Sequence, residues 1–165
     1  MRLSDFDYPL PEELIAQFPA AERTASRLLH VDGAHLADRM FAELPEFLRP
    51  GDVLVFNDTR VIKARLYGQK PTGGQVEVLV ERILNDHDAL AFVRASKTPK
   101  PGSRIVIGNG VEFEMLARQG DLFRLRCHGG DSLLEVLERH GRLPLPPYIA
   151  HAPETLDEAR YQTVY

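Results

Sequence analysis

The densest run of chemically capable side chains is Phe56-Asn57-Asp58-Thr59-Arg60-Val61-Ile62-Lys63-Ala64-Arg65-Leu66, which packs a carboxamide, a carboxylate, a hydroxyl and three cations together. Asn and Asp after a strand close turns through side-chain to backbone bonds, and that is the plain reading of Asn57-Asp58. Arg60, Lys63 and Arg65 add what a turn does not need. Cations spaced by two or three along an extended chain can converge on an anionic or planar ligand. The apolar run Val53-Leu54-Val55-Phe56 just before them reads as a buried strand whose end would present these groups.

Other chemistries find little support. Gly73-Gly74 and Gly129-Gly130 lack the spacing of a phosphate loop. Cys127 is the only cysteine, which excludes an internal disulfide and a multi-cysteine zinc site. The six histidines fit no ligand pattern, and His128 points away from Cys127 on a strand, so no metal is expected. No nucleophile elbow occurs. Arg23 and Arg27 can hold a phosphate or carboxylate, or simply pair with Glu22 and Asp32. Tyr148 and Tyr161 can stack on a base, or pack beside their prolines.

Charge is unevenly spread. Residues 60–126 carry 12 Lys and Arg against 7 Asp and Glu, whereas residues 1–59 carry 5 against 11 and residues 127–165 carry 3 against 6. A basic block between acidic flanks suggests a local anionic partner, nucleic acid first, although solvated strand faces give the same count. There is neither a signal peptide nor an 18-residue apolar run, so a soluble, cytoplasmic protein without membrane contact is expected.

The elements that must position these groups follow from patterning. Pro11 with Glu12 and Glu13 starts a short helix that Phe18-Pro19 ends. Arg27 onward reads as a strand, 38–48 as one or two helical turns interrupted by Pro45, and Pro50-Gly51 as a turn. Strands are expected from Ala64, over Gln75 to Leu84, Ala89 to Ala95, Arg104 to Ile107, Val111 to Ala117 and Leu122 to Cys127. Asn109-Gly110 is a hairpin signal, and Leu122, Arg124 and Arg126 should share one strand face. Five or six strands without an intervening helix suggest a small antiparallel barrel, which coincides with the basic block. Ser132 and Glu135 fit a capping box opening a helix that Gly141 stops. A proline-rich segment, Gly141 to Ile149, then reads as a stiff connector, and Pro153 to Tyr161 as a final short helix.

Six blocks together resemble the S-adenosylmethionine:tRNA ribosyltransferase-isomerases of queuosine biosynthesis. They are Asp5-Phe6-Asp7-Tyr8 with Leu10-Pro11, Leu14-Ile15-Ala16-Gln17 with Pro19, Ser26-Arg27-Leu28-Leu29, Phe56 to Ile62, Gly141-Arg142-Leu143-Pro144-Leu145-Pro146-Pro147-Tyr148-Ile149, and Arg160-Tyr161-Gln162-Thr163-Val164-Tyr165. Lys63 stands where the family commonly has proline. The resemblance implies an α/β main domain, incomplete in this chain, from residues 1–61 and 129–165, with a small antiparallel β-barrel domain inserted at 62–128. Family members are about twice as long and continue into a segment absent here, so a fragment is expected.

The implied reaction moves the ribosyl part of S-adenosylmethionine onto 7-aminomethyl-7-deazaguanine in a tRNA anticodon loop and isomerises it. Epoxyqueuosine tRNA, adenine and methionine result, without a metal, in a protein expected to be monomeric at full length. By the same resemblance Asp58 is the acid/base or ribose-binding candidate, with Asn57 and Thr59 as hydrogen-bonding partners. Arg60, Arg142, Tyr148 and Arg27 are candidates for substrate binding, and Lys63, Arg65, Arg124 and Arg126 for RNA contact. The alternatives are an inactive fragment and a non-catalytic RNA-binding barrel.

Overall fold

The computed structural model describes residues 1–162; Thr163, Val164 and Tyr165, the end of the last resembling block, lie outside the described residues. The chain divides into two compact units, the first built from Met1–Asp58 with Pro147–His151, the second from Thr59–Pro146 with the stretch beginning at Ala152.

In the first unit β1 (Arg27–Asp32) and β2 (His35–Met40) form an antiparallel hairpin in which Leu29 lies opposite Asp38. Around it are 3-10 turns at Leu3–Phe6, Glu12–Leu14, Arg23–Ala25 and Phe41–Phe47. The expected helix after Pro11 is therefore a single 3-10 turn, and the 38–48 region ends a strand before its one 3-10 segment, with Pro45 inside it. The expected buried strand at 53–56 is not formed: Val53 is 84% and Val55 91% exposed, and no described residue pairs with them. A strand needs a neighbour to take its N–H and C=O groups, and the apolar composition that suggested burial supplies none. Indeed no residue of 1–58 is buried.

The second unit holds a closed barrel. Its strands are β3 (Arg65–Gln69), β4 (Gln75–Ile83), β5 (Asp88–Ala95), β6 (Arg104–Ile107), β7 (Val111–Gln119) and β8 (Leu122–Cys127), arranged β3-β4-β5-β8-β7-β6 with β6 returning to β3. Every pairing is antiparallel, as short connections require. At the closing seam Gly68 faces Ile107, and a Cβ there would strike the Val106 carbonyl and the Ile107 side chain; only glycine lets these backbones meet. The Asn109-Gly110 hairpin forms, but with a three-residue loop: Ile107 pairs with Val111, and the positive φ values fall on Gly108 and Gly110 rather than on Asn109.

Alternation explains the core. Leu66, Val76, Val78, Ile105, Phe113, Met115 and Leu125 point inward and are at most 3% exposed. One helix, α1 (Leu133–His140), adds Leu133, Val136 and Leu137 to that core. Its capping box is the expected one, with Ser132 Oγ accepting from Glu135 N at 3.3 Å and Glu135 Oε2 accepting from Ser132 N at 2.7 Å. The final helix, α2 (Thr155–Arg160), is shorter than its expected span.

Candidate functional site

Side chains expected to act together are spread over three places. The first is the corner where the proline-rich segment meets β3. Arg65 N donates to the Arg142 carbonyl at 3.1 Å and Arg142 N to the Arg65 carbonyl at 2.7 Å, a one-rung bridge that brings both cations to one edge. Gly141 makes this approach possible, because a Cβ there would meet the Lys63 and Leu137 carbonyl oxygens. Its backbone is extended, with φ −77° and ψ 161°, so this glycine is required by space and not by a left-handed cap.

The cations at that corner are partly neutralised. Lys63 Nζ lies 3.1 Å from Glu158, Arg60 3.7 Å from Glu138, and Arg65 Nε 3.2 Å from Glu77, with its N–H off line so that the contact is coulombic only. Arg142 is exposed and its guanidinium has no partner among the described residues. Gln162 completes the corner: its Nε2 donates to the Val61 carbonyl at 3.1 Å and its Oε1 accepts from Val61 N at 2.9 Å. The amide thus does what a neighbouring strand would do, and it pins the chain just after Thr59-Arg60.

The second place is the outer face of β8. Arg124 and Arg126 do share one face, and both are anchored on Asp88, whose side chain is 1% exposed. Arg126 binds it through two nitrogens, at 2.8 and 3.1 Å, and Arg124 through one at 2.6 Å. Hydrogen bonds from Arg126, reinforced by Arg124, hold the Asp88 carboxyl well below the usual carboxylate range despite the opposing pull of burial. Beside it His128 Nε2 is 3.0 Å from Glu114. Burial pushes the Cys127 thiol up, which makes it a poor nucleophile.

The third place lies in the first unit. Tyr148 is 58% exposed, and the backbone around it is clamped by Gln17, which donates to the Tyr148 carbonyl at 3.0 Å and accepts from Ala150 N at 2.7 Å. His151 stacks on Phe18 with ring centroids 4.6 Å apart and reaches the Gln17 carbonyl at 3.0 Å. Arg27 pairs with Asp38 across the hairpin at 3.1 Å instead of with Asp32. Asn57, Asp58 and Thr59 are exposed in irregular backbone, and Asp58 has no side-chain partner among the described residues. No group of His, Cys, Asp and Glu among the described residues is arranged to hold a metal.

Against known proteins, the family model described as "Queuosine biosynthesis protein" matches residues 3–165. The chain belongs to the queuosine biosynthesis protein family. Within it, the S-adenosylmethionine:tRNA ribosyltransferase-isomerase of Azoarcus sp. (strain BH72) is 61% identical over 165 residues, covering 100% of this chain and 48% of the relative. That of Nitrosospira multiformis is 58% identical, with 100% and 47% coverage. The chain thus spans about half the length of the curated relatives it matches. A crystal structure of S-adenosylmethionine tRNA ribosyltransferase from Thermotoga maritima is 35% identical over 83% of this chain and 48% of that one, with a TM-score of 0.43.

Three site-shaping residues escaped sequence reasoning. Gln17 and Gln162 stand inside the family-resembling blocks, yet an amide that caps distant backbone leaves no periodic signal. Asp88, the first residue of β5, falls just outside the strand expected from Ala89. Its only clue was sequence-distant, in two arginines two residues apart on a strand 36 and 38 residues later.

Proposed function

We propose that the protein to which this chain belongs transfers and isomerises the ribosyl moiety of S-adenosylmethionine onto 7-aminomethyl-7-deazaguanine in tRNA, releasing adenine and methionine. The observation that carries this reading is the family match over residues 3–165 together with relatives of 61% and 58% identity bearing the ribosyltransferase-isomerase name. The tRNA is presented at its anticodon loop in the cytoplasm, and the full-length protein acts as a monomer. No helix among the described residues is long and apolar enough to cross a membrane.

Each residue's role follows from its chemistry and its setting. The sulfonium acidifies the adjoining ribose carbon, so a positioned base starts the reaction, and adenine leaves more readily when hydrogen-bonded or protonated. Asp58 is the base or ribose ligand, with Asn57 and Thr59 beside it. Arg142, without a side-chain partner, is the cation best able to take a methionine carboxylate or a phosphate; Arg60 and Arg27 supplement it, and the exposed Tyr148 ring offers a stacking face. Lys63, Arg65, Arg124 and Arg126 contact the RNA backbone, which makes the affinity fall with salt.

Residues 1–61 and 129–165 form part of an α/β main domain into which 62–128 is inserted. The absence of any buried residue in 1–58 supports this, because such a segment lacks a core of its own. Adenine release from S-adenosylmethionine and tRNA bearing the aminomethyl-deazaguanine tests the reading, with this chain run beside a version extended to the relatives' length. Release by the extended protein is expected, falling at least a hundredfold in Asp58→Ala. Release undiminished by that change removes Asp58 from the mechanism. No release from the extended wild type overturns the reaction.

A further inference from the structure

The outward positions of β5 form a continuous line: Asp88, Leu90, Phe92 and Arg94, alternating with inward Ala89 and Ala91. At one end of the line sits the Asp88 clip with Arg124 and Arg126. At the other, the register aligns Arg65, Leu79 and Phe92 in one row and Tyr67, Glu77 and Arg94 in the next, so two exposed aromatics, Tyr67 and Phe92, flank β4 on one face.

Towards the β7–β8 turn, β5 runs past the end of its pairing with β8. β5 continues to Ala95, whereas its pairing with β8 ends at Ala91 opposite Phe123. The strands part there, leaving the β8-facing edge of Phe92–Ala95 without a strand partner among the described residues. A cleft of about 420 Å³ lies here, lined by Leu79, Phe92, Val93 and Ala95 together with Glu77, Arg94 and Asp121.

The two ends differ in charge in a useful way. The clip sets two guanidinium groups, with side chains 39% and 48% exposed, on the buried Asp88, while Glu114, which faces Arg126, is engaged by His128. The cleft sets Arg94 against Asp121 and a Glu77 already paired with Arg65, which disfavours a phosphate. It suits a neutral planar group with donors and acceptors at its rim, stacked on an aromatic ring. Both guanidinium groups of the clip lie on Asp88, four residues before Phe92 and roughly 13 Å away along the strand. That span exceeds one nucleotide and matches a base and the phosphate of a neighbouring nucleotide.

We propose that the outer face of β5 is a short single-stranded RNA site: Phe92 stacks an unpaired base within the cleft while the Asp88-clipped pair Arg124 and Arg126 holds a phosphate of the neighbouring nucleotide. The proposal rests on the tRNA reading above and adds to it a base-binding position on the barrel. The clip is preorganised, since the buried carboxylate fixes both guanidinium groups while their side chains stay partly open to solvent.

The test is binding of a tRNA anticodon stem-loop carrying 2-aminopurine in its loop to the intact chain, titrated with salt. Phe92→Ala is expected to weaken binding about 5- to 150-fold without altering the salt slope, and to abolish the 2-aminopurine quenching that wild type and Phe92→Tyr produce. Removing the clip with Asp88→Asn, Arg124→Gln and Arg126→Gln together leaves no buried unpaired charge, and should reduce the slope of log affinity against log salt by about 1 to 2. RNA binding by Phe92→Ala equal to wild type overturns the site, assigning the cleft to a partner other than RNA. Absence of any RNA binding by the wild type overturns both the site and the tRNA reading. Intact, Phe92-dependent binding with no adenine release from the extended protein sinks the reaction alone.

Discussion

Asp88 joins stability to the cationic face of the barrel. Its carboxylate is buried and accepts three hydrogen bonds from two arginines, so its folded value lies below its unfolded one of about 3.9. The stabilisation is therefore fully present above about pH 4 and is lost progressively as pH falls through the lower folded value. Asp88→Asn keeps the shape but removes the charge, and should cost about 2 kcal/mol at neutral pH while flattening the acid limb of the stability curve. Urea titrations of both proteins from neutral pH down to about pH 3 check this. Equal acid sensitivity in the two would mean that other carboxylates govern the loss. None of this was legible locally, because Asp88 meets Arg124 and Arg126 only when β5 and β8 pair.

At the scale of elements, α1 and the segment after it show which signals survive folding. The Ser132–Glu135 capping box was readable because both partners sit within one turn, and the structure contains it with each oxygen placed as the spacing demands. Ser132→Ala should lower stability by about 1 kcal/mol, read as a drop in melting temperature. Gly141 was equally visible as a helix stop, yet the structure assigns it a different duty, the close approach to Lys63 that lets Arg142 bridge Arg65. Gly141→Ala should therefore cost more than a cap change, about 2 kcal/mol or above, and should weaken protection of the Arg65 and Arg142 amides in hydrogen exchange. Unchanged protection of those two amides would show that the bridge tolerates a Cβ.

Across the whole molecule the two units differ in how completely they satisfy their own sequences. The barrel encloses a buried apolar core; the first unit leaves Val53, Leu54, Val55 and Phe56 between 50% and 91% exposed. Local opening costs least where few apolar contacts are buried. Limited proteolysis of this chain should therefore cut first within residues 1–58 and leave a resistant fragment containing residues 64–145. The extended protein should resist cutting at 1–58 if its additional residues cover that apolar surface. Early cleavage inside the barrel would contradict the distribution of buried side chains.

Sequence alone determined the features whose physics is local or periodic. The strands expected over 75–84, 89–95 and 122–127, the capping box, the basic middle block and the ordered family blocks were all legible, because each depends on neighbours within a few residues or on composition. The tertiary structure decided everything that depends on which distant backbones meet. It closed β6 onto β3 through Gly68, set Arg124 and Arg126 on Asp88, turned Gln17 and Gln162 into backbone clamps, and left 53–56 exposed and without a strand partner among the described residues despite an apolar pattern that reads as a strand. Hydrophobic patterning states that a segment favours burial; whether it is buried depends on a partner surface that its own residues do not encode.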